Sequence, residues 1–318
     1  MRIALLEPLG VPAETIDTLA EPLRAAGHEF VYFDTKTADT AELARRSTGA
    51  DVVMIANNPY PADVIRGSDA LKMIAVAFTG IDHVGLDACR KRGIEVRNCA
   101  GYSDTSVAEL AVGLTIDVLR KVIPADAATR AGGTSTGLMG REISGKTVGI
   151  VGTGHIGCAA GRLFNAFGAR VLGYARHEHP EAAEAGIEQV PLEKLLAESD
   201  IVSLHLPLND ATRKSFGAEQ IAQMKDGAVL INCARGAIVD NDALADALSS
   251  GKIAGAGIDV FDMEPPIPAD YALLQAPNCV FAPHTAFLTE EAMRRRAQIE
   301  FDNVLAFTEG RAQNVCEL

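Results

Sequence analysis

No stretch of the chain is long and apolar enough to cross a bilayer, and Met1-Arg2-Ile3-Ala4 runs directly into a strand-like segment without the pattern of a signal peptide. The six cysteines (Cys89, Cys99, Cys158, Cys233, Cys279 and Cys316) include no C-x-x-C pair, so neither a zinc site nor a disulfide framework is indicated, and buried reduced thiols are expected. Positive charge is also short: 29 Lys and Arg stand against 42 Asp and Glu, a net charge of −13, which argues against nucleic acid or an anionic membrane as partner. A small anionic substrate stays open, because a local arginine decides that and the global charge does not. Internal repeats and low-complexity segments are lacking as well. These absences leave a cytoplasmic globular protein as the expectation.

What is present is a composition 48% hydrophobic and 22% charged over 318 residues, enough for two domains with a core each. Short apolar runs alternate with amphipathic ones from the start: strands are expected at Ile3 to Leu6, Glu29 to Phe33, Val52 to Ala56, Lys72 to Ala77 and Glu95 to Val96. That alternation predicts βα units and a parallel sheet. A long helix, Thr105 to Val122, follows, with Ser103 and Asp104 as candidate caps and Pro124 as its stop. Six further strands are expected, at Val148 to Val151, Arg170 to Tyr174, Ile201 to Leu204, Ala228 to Asn232, Ala254 to Val260 and Cys279 to Ala282. With intervening helices they make a doubly wound sheet. The last helical run, from Glu290 to Phe307, is too short to stand alone and is expected to dock on the first domain. The predicted fold class is α/β, with a Rossmann domain over residues 100–286 and a smaller α/β domain built from 1–99 and 287–318.

The strand from Thr147 to Val151 ends in Gly152-Thr153-Gly154-His155-Ile156-Gly157, a G-x-G-x-x-G, and a helix is expected from Cys158 to Phe167. Strand, tight turn and helix in that order make a dinucleotide site. Gly152 permits the turn, Gly154 lets backbone approach a pyrophosphate, and Gly157 lets helix pack on strand. The helix N-terminus offers unpaired N–H groups and the positive end of its dipole to the phosphates, which adds His155 and Ile156 to the candidate cofactor residues. No such turn exists in the first domain.

In doubly wound sheets ligands bind at the carboxyl ends of the strands. After Leu230-Ile231-Asn232 comes Cys233-Ala234-Arg235-Gly236; after Gly257-Ile258-Asp259-Val260 comes Phe261-Asp262-Met263-Glu264-Pro265-Pro266; after Val280-Phe281-Ala282 comes Pro283-His284-Thr285-Ala286. An arginine, a glutamate and a histidine therefore fall on one rim. Arginine presents a planar fork to a carboxylate. Histidine exchanges a proton near neutrality, and a glutamate paired with it favours its charged, acidic form. Taken singly, each has a plainer reading: a surface ion-pair partner, a turn, a loop.

These segments, with the preceding glycines and the Ser106-Val107-Ala108-Glu109 that opens the long helix, resemble the signatures of the D-isomer-specific 2-hydroxyacid dehydrogenases in order and spacing. The resemblance extends from Leu71 to Asn314. It implies a substrate domain of flavodoxin-like α/β type, split between the two ends of the chain and closing over the dinucleotide domain, and a homodimer formed through the long helix and the loop after it. It also implies roles. Arg235 would hold the carboxylate and carbonyl of a 2-oxo acid, His284 would protonate the carbonyl oxygen as hydride arrives, and Glu264 would orient and charge His284. Cys233 would touch the nicotinamide through its backbone, and Asp259 would accept from the carboxamide or, in the plainer reading, bond its own backbone at the strand end. In the first domain Thr79 and Gly80 would bind the carboxylate through backbone N–H groups. Phe78 stands where that family usually has glycine, and it either lines the pocket or packs in the core. His83 is expected to be structural.

The residue ending the second strand of the nucleotide domain selects the cofactor. NAD sites place Asp or Glu there to accept from the ribose. This chain has Tyr174-Ala175-Arg176-His177; Arg176 suits a 2′-phosphate or only stacks on the adenine, so the cofactor is NADP or NAD, with NADP slightly favoured. The expected activity is reduction of a 2-oxo acid to a D-2-hydroxy acid. The alternatives are a dinucleotide-sensing interaction protein of the co-repressor kind, and oxidation of formate or phosphite on the same fold.

Overall fold

The computed structural model of the chain describes residues 1–177, 180–263 and 266–318. In chain order the first elements are β1 (Arg2–Leu5), α1 (Ala13–Ala25), β2 (Glu29–Tyr32), α2 (Thr40–Arg46), β3 (Val52–Ile55), α3 (Ala62–Gly67), β4 (Met73–Val76), α4 (Leu86–Arg92) and β5 (Glu95–Asn98). Then come α5 (Asp104–Arg120), α6 (Val122–Arg130), β6 (Thr147–Val151), α7 (His155–Ala166), β7 (Arg170–Tyr174), α8 (Pro180–Glu184), β8 (Glu188–Gln189), α9 (Leu192–Glu198) and β9 (Ile201–Leu204). The last are α10 (Ala218–Gln223), β10 (Ala228–Asn232), α11 (Asn241–Ser249), β11 (Ile253–Ile258), β12 (Cys279–Phe281) and α12 (Glu290–Thr308). Two compact units result, Met1–Ser103 with Leu288–Leu318, and Asp104–Phe287.

The first unit is a five-stranded parallel sheet in the order β2-β1-β3-β4-β5. Its central strands, Val-Val-Met-Ile and Met-Ile-Ala-Val, are buried at every position, as expected where helices cover both faces. Helix α12 belongs to this unit. Thr289 caps it by accepting from the Ala292 N–H at 3.1 Å, and Ala292, Met293, Ala297, Phe301 and Val304 form its apolar stripe. The buried Arg97 of β5 fastens it, donating to the Asn303 and Arg311 carbonyls at 2.9 and 2.8 Å, while Asn303 Nδ2 donates to the Asn98 carbonyl at 2.7 Å.

The second unit is a seven-stranded parallel sheet, β12-β11-β10-β9-β6-β7-β8. The strand order reverses between β6 and β9, which is where a doubly wound sheet opens its binding crevice. Three sequence expectations need correction. The sheet has a seventh strand, because Glu188 and Gln189 pair with Leu172 and Gly173 at the edge; two polar residues give no apolar run to read. The long helix stops at Arg120, because Lys121 takes a left-handed conformation (φ 54°). Pro124 does not end a helix but sits in the first turn of α6, where its missing N–H would have had no acceptor. Finally, α7 begins at His155 and not at Cys158, so His155, Ile156 and Gly157 are its first turn.

Candidate active site

The glycine turn has the stereochemistry a dinucleotide requires. Gly152 sits at φ 102°, a region only glycine enters freely, and its N–H donates to the Tyr174 carbonyl at 2.8 Å. A Cβ on Gly157 would overlap the Gly152 carbonyl oxygen, so glycine there is what lets α7 start immediately beneath the turn. At Gly154 the reverse holds: the space a Cβ would take is open, with nothing within 4 Å. An exposed, side-chain-free cradle thus faces the first turn of α7, whose N–H groups have no intrahelical acceptor. These features fit a pyrophosphate. His155 is exposed on that turn, its Nδ1 3.7 Å from the Asp104 carboxylate at the start of α5.

At the end of β7, Arg176 is exposed, and among the described residues no carboxylate pairs with it. Thr153 is buried against Gly173, and its hydroxyl accepts from Gln189 Nε2 at 2.9 Å, tying the glycine turn to the edge strand.

The carboxyl ends of β10, β11 and β12 are joined in a row. Buried Asn232 organises the first: its Oδ1 accepts from the Ala234 N–H at 3.0 Å and its Nδ2 donates to the Arg235 carbonyl at 3.1 Å. The Arg235 guanidinium donates to the Ala234 carbonyl at 2.8 Å. A Cβ on Gly236 would overlap the Phe261 carbonyl group, so this glycine lets the arginine loop lie against the exit of β11. Asp259 N–H donates to the Asn232 carbonyl at 3.0 Å, and His284 N–H donates to the Asp259 carbonyl at 2.8 Å. Arg235 and His284 therefore stand on either side of Asp259. His284 has a left-handed backbone (φ 57°), and the Phe287 ring meets its imidazole edge-on at 5.4 Å.

Asp259 turns its carboxyl group to the backbone just past His284. Its side chain is wholly buried, and its two oxygens accept from the N–H groups of Thr285 at 2.7 Å and Ala286 at 3.0 Å. Burial raises its pKa; those N–H groups and the nearby His284 pull in the opposite direction. Cys233 is buried, and burial with the Asp259 charge pushes its thiol well above the ordinary range, leaving a neutral, inert side chain. Glu264 lies outside the described residues.

Sequence reasoning passed over His205, at the end of β9. Its N–H donates to the Val151 carbonyl at 2.8 Å, and its carbonyl lies against Gly152, so that a Cβ there would overlap it. Its Nε2 shares a hydrogen with Ser203 Oγ at 2.9 Å, and burial lowers its pKa to about 4, so it is neutral at physiological pH. The strand-end rule, applied to β9 as it was to β10 and β12, would have found it.

In the first unit, Ala77 ends in the loop 78–83. Its carbonyls are turned inward: Phe78 C=O accepts from the Cys99 N–H at 2.9 Å and Thr79 C=O from Asn98 Nδ2 at 2.8 Å. Among the described residues no acceptor takes the N–H of Thr79 or Gly80. Phe78 is buried against the Tyr102 ring at 5.8 Å, with His83 edge-on at 6.4 Å.

A doubly wound sheet with this glycine turn and these strand ends defines a nicotinamide-dinucleotide oxidoreductase. Residues 112–286 match the family model described as D-isomer specific 2-hydroxyacid dehydrogenase, NAD binding domain. The chain is 41% identical over 266 residues to a glyoxylate reductase of Korarchaeum cryptofilum, covering 81% of this chain and 80% of that one. It is 33% identical to a hydroxypyruvate reductase of Blautia hydrogenotrophica, covering 92% and 93%. Among solved structures it resembles an acyclic imino acid reductase in complex with NADPH and D-Arg, at TM-score 0.88, 28% identity and full coverage of both chains. The chain belongs to the D-isomer-specific 2-hydroxyacid dehydrogenase family and is an NAD(P)-dependent 2-hydroxyacid dehydrogenase. No helix among the described residues is long and apolar enough to span a membrane.

Proposed function

We propose that the chain reduces a small 2-oxo acid to the D-2-hydroxy acid, with NADPH preferred over NADH. The observation that carries this reading is the row of hydrogen bonds past β10, β11 and β12 that sets Arg235 and His284 on either side of Asp259. Arg235 binds the substrate carboxylate and polarises its carbonyl through a charge-assisted fork. In the first unit the N–H groups of Thr79 and Gly80 are offered to a carboxylate, the Phe78 and Thr79 carbonyls being already engaged. Gly152, Gly154, His155, Ile156 and Gly157 hold the pyrophosphate, Cys233 borders the nicotinamide through its backbone, and Arg176 pairs with the 2′-phosphate. Bound there, the reduced nicotinamide supplies a hydride to the carbonyl carbon. His284, charged with the help of Glu264, gives its proton to the carbonyl oxygen, so the alkoxide never accumulates.

The relatives' names favour two- and three-carbon substrates, glyoxylate and hydroxypyruvate. The protein works as a cytoplasmic homodimer: its six cysteines are unpaired, and α6 buries none of its own residues, with Val122 and Ile123 exposed and Met139 nearby 90% exposed. A second copy covers that surface.

The test is a panel of glyoxylate, hydroxypyruvate, pyruvate, and branched and aromatic 2-oxo acids, each with NADH and NADPH, followed by nicotinamide absorbance. Formate and phosphite with the oxidised cofactors complete it. Turnover of the small 2-oxo acids is expected. Dinucleotide binding without turnover of any member would favour a sensing role instead.

A further inference from the structure

Glu7 follows β1 and is wholly buried, yet it is a carboxyl group in the core of the first unit. A buried carboxyl is costly unless it is used. Its Oε1 accepts two backbone N–H groups from the segment just past β3, those of Ala56 at 2.7 Å and Asn58 at 3.1 Å. The same peptide segment faces the other way with its acceptor: the Ala56 carbonyl takes a hydrogen bond from His83 Nε2 at 2.9 Å. A carbonyl only accepts, so that nitrogen carries the hydrogen. Backbone bonds extend the seam, from the Tyr60 N–H to the His83 carbonyl at 3.0 Å and from the Gly85 N–H to the Tyr60 carbonyl at 2.9 Å. One end of the loop 78–85 is thus held by Asn98, the last residue of β5, and Cys99 just after it, and the other end by the segment 56–60. That segment lies past its strand, and the Glu7 carboxyl supplies the acceptor for two of its N–H groups, those of Ala56 and Asn58.

We infer that Glu7 is a positioning residue for the loop that presents Thr79 and Gly80, acting through the Ala56 peptide and His83. This rests on the proposed reading that those two N–H groups bind the substrate carboxylate. The charged and titratable groups near Glu7 are Lys36, whose Nζ lies 3.9 Å from Oε2, and Arg296 and Glu300 of α12; none of them makes the two N–H bonds. Because both N–H groups go to a single oxygen, a glutamine can keep them with its one carbonyl, whereas an alanine keeps neither.

The experiment uses the full chain and the variants Glu7→Gln, Glu7→Ala and His83→Phe. It reads steady-state kinetics, NAD(P)H affinity by fluorescence, and hydrogen exchange of peptides covering residues 78–85. Glu7→Ala is expected to speed exchange of the loop about tenfold and raise KM for the 2-oxo acid about tenfold, with kcat and cofactor affinity within about threefold of the parent. Glu7→Gln should rescue both, and the double variant Glu7→Ala with His83→Phe should be no worse than Glu7→Ala, since the two share one path. Unchanged loop exchange in Glu7→Ala, or a Glu7→Gln as impaired as the alanine, overturns the inference. Should Glu7→Ala fail to fold, unchanged exchange in His83→Phe does the same. Thr79→Pro, which deletes one of the two N–H groups, separates the underlying reading: if it raises KM while a loosened loop in Glu7→Ala does not, the positioning link is wrong and the loop reading stands. If neither raises KM, the loop reading fails and takes the inference with it.

Discussion

The carboxylate of Asp259 holds the backbone N–H of Thr285 at 2.7 Å, and with its second oxygen the N–H of Ala286 at 3.0 Å, from a fully buried position. The residue before them is His284, in a left-handed conformation that needs support from its surroundings. Asp259 is therefore the anchor that keeps the imidazole in place.

Asp259→Asn keeps one acceptor and sets an NH2 group against a buried N–H. It should cost about 1–3 kcal/mol of stability, as an unsatisfied buried donor does. The midpoint of urea unfolding and kcat should both fall while dinucleotide affinity stays. A loss of affinity with unchanged stability would instead return Asp259 to the carboxamide.

His284→Gln keeps a polar side chain of similar reach without a titratable group. Turnover should drop by about 10²–10⁴-fold, the usual worth of a general acid, with NAD(P)H affinity unaltered. Equal losses in both would make His284 a structural residue.

Two glycines of the turn should respond in opposite ways. Gly157→Ala drives a methyl into the Gly152 carbonyl oxygen and should destabilise the unit by about 1–3 kcal/mol, an overpacking cost seen as a lower melting temperature. Gly154→Ala meets nothing within 4 Å, so the melting temperature should hold while the new methyl occupies the cradle and weakens dinucleotide binding.

Arg176→Ala removes the charge offered to a 2′-phosphate. A charge-assisted hydrogen bond contributes about 1.5–3 kcal/mol, so the preference for NADPH over NADH, as a ratio of kcat/KM values, should fall at least tenfold. An unchanged ratio would leave Arg176 stacking on the adenine only.

His205 carries a pH signature. Burial lowers its pKa from 6.5 to about 4, so the unfolded chain binds a proton there that the folded chain refuses. The stabilising contribution is complete above pH 6.5 and is lost as pH falls towards 4, a span of about 3 kcal/mol. Urea unfolding across that range should show the loss in the parent and a smaller one in His205→Asn.

Much of this was legible in the chain because it is local. The alternation of apolar runs with helical periods is a property of neighbours in sequence, and it yielded both parallel sheets. G-x-G-x-x-G states its own stereochemistry, and the glycine turn stands where it was expected. The strand-end rule then selected Arg235 and His284 from one chain order. Edge strand β8 was not legible, since an edge needs no apolar run, and Pro124 misled because a proline is as acceptable in a first helical turn as beyond a last one.

The sequence by itself determined the class of sheet, the turn that receives a dinucleotide, and which side chains lie at the strand ends. Only the tertiary structure decided what those side chains hold: Asp259 turned to the backbone of Thr285 and Ala286, His205 set under Gly152, and Glu7 joined to His83 through Ala56. The reason is that a buried polar group is satisfied by whichever backbone lies beside it, and that depends on which strands are neighbours in the sheet. Residues 259 and 285, or 7 and 56, are far apart in sequence and become partners only once the strand order is set.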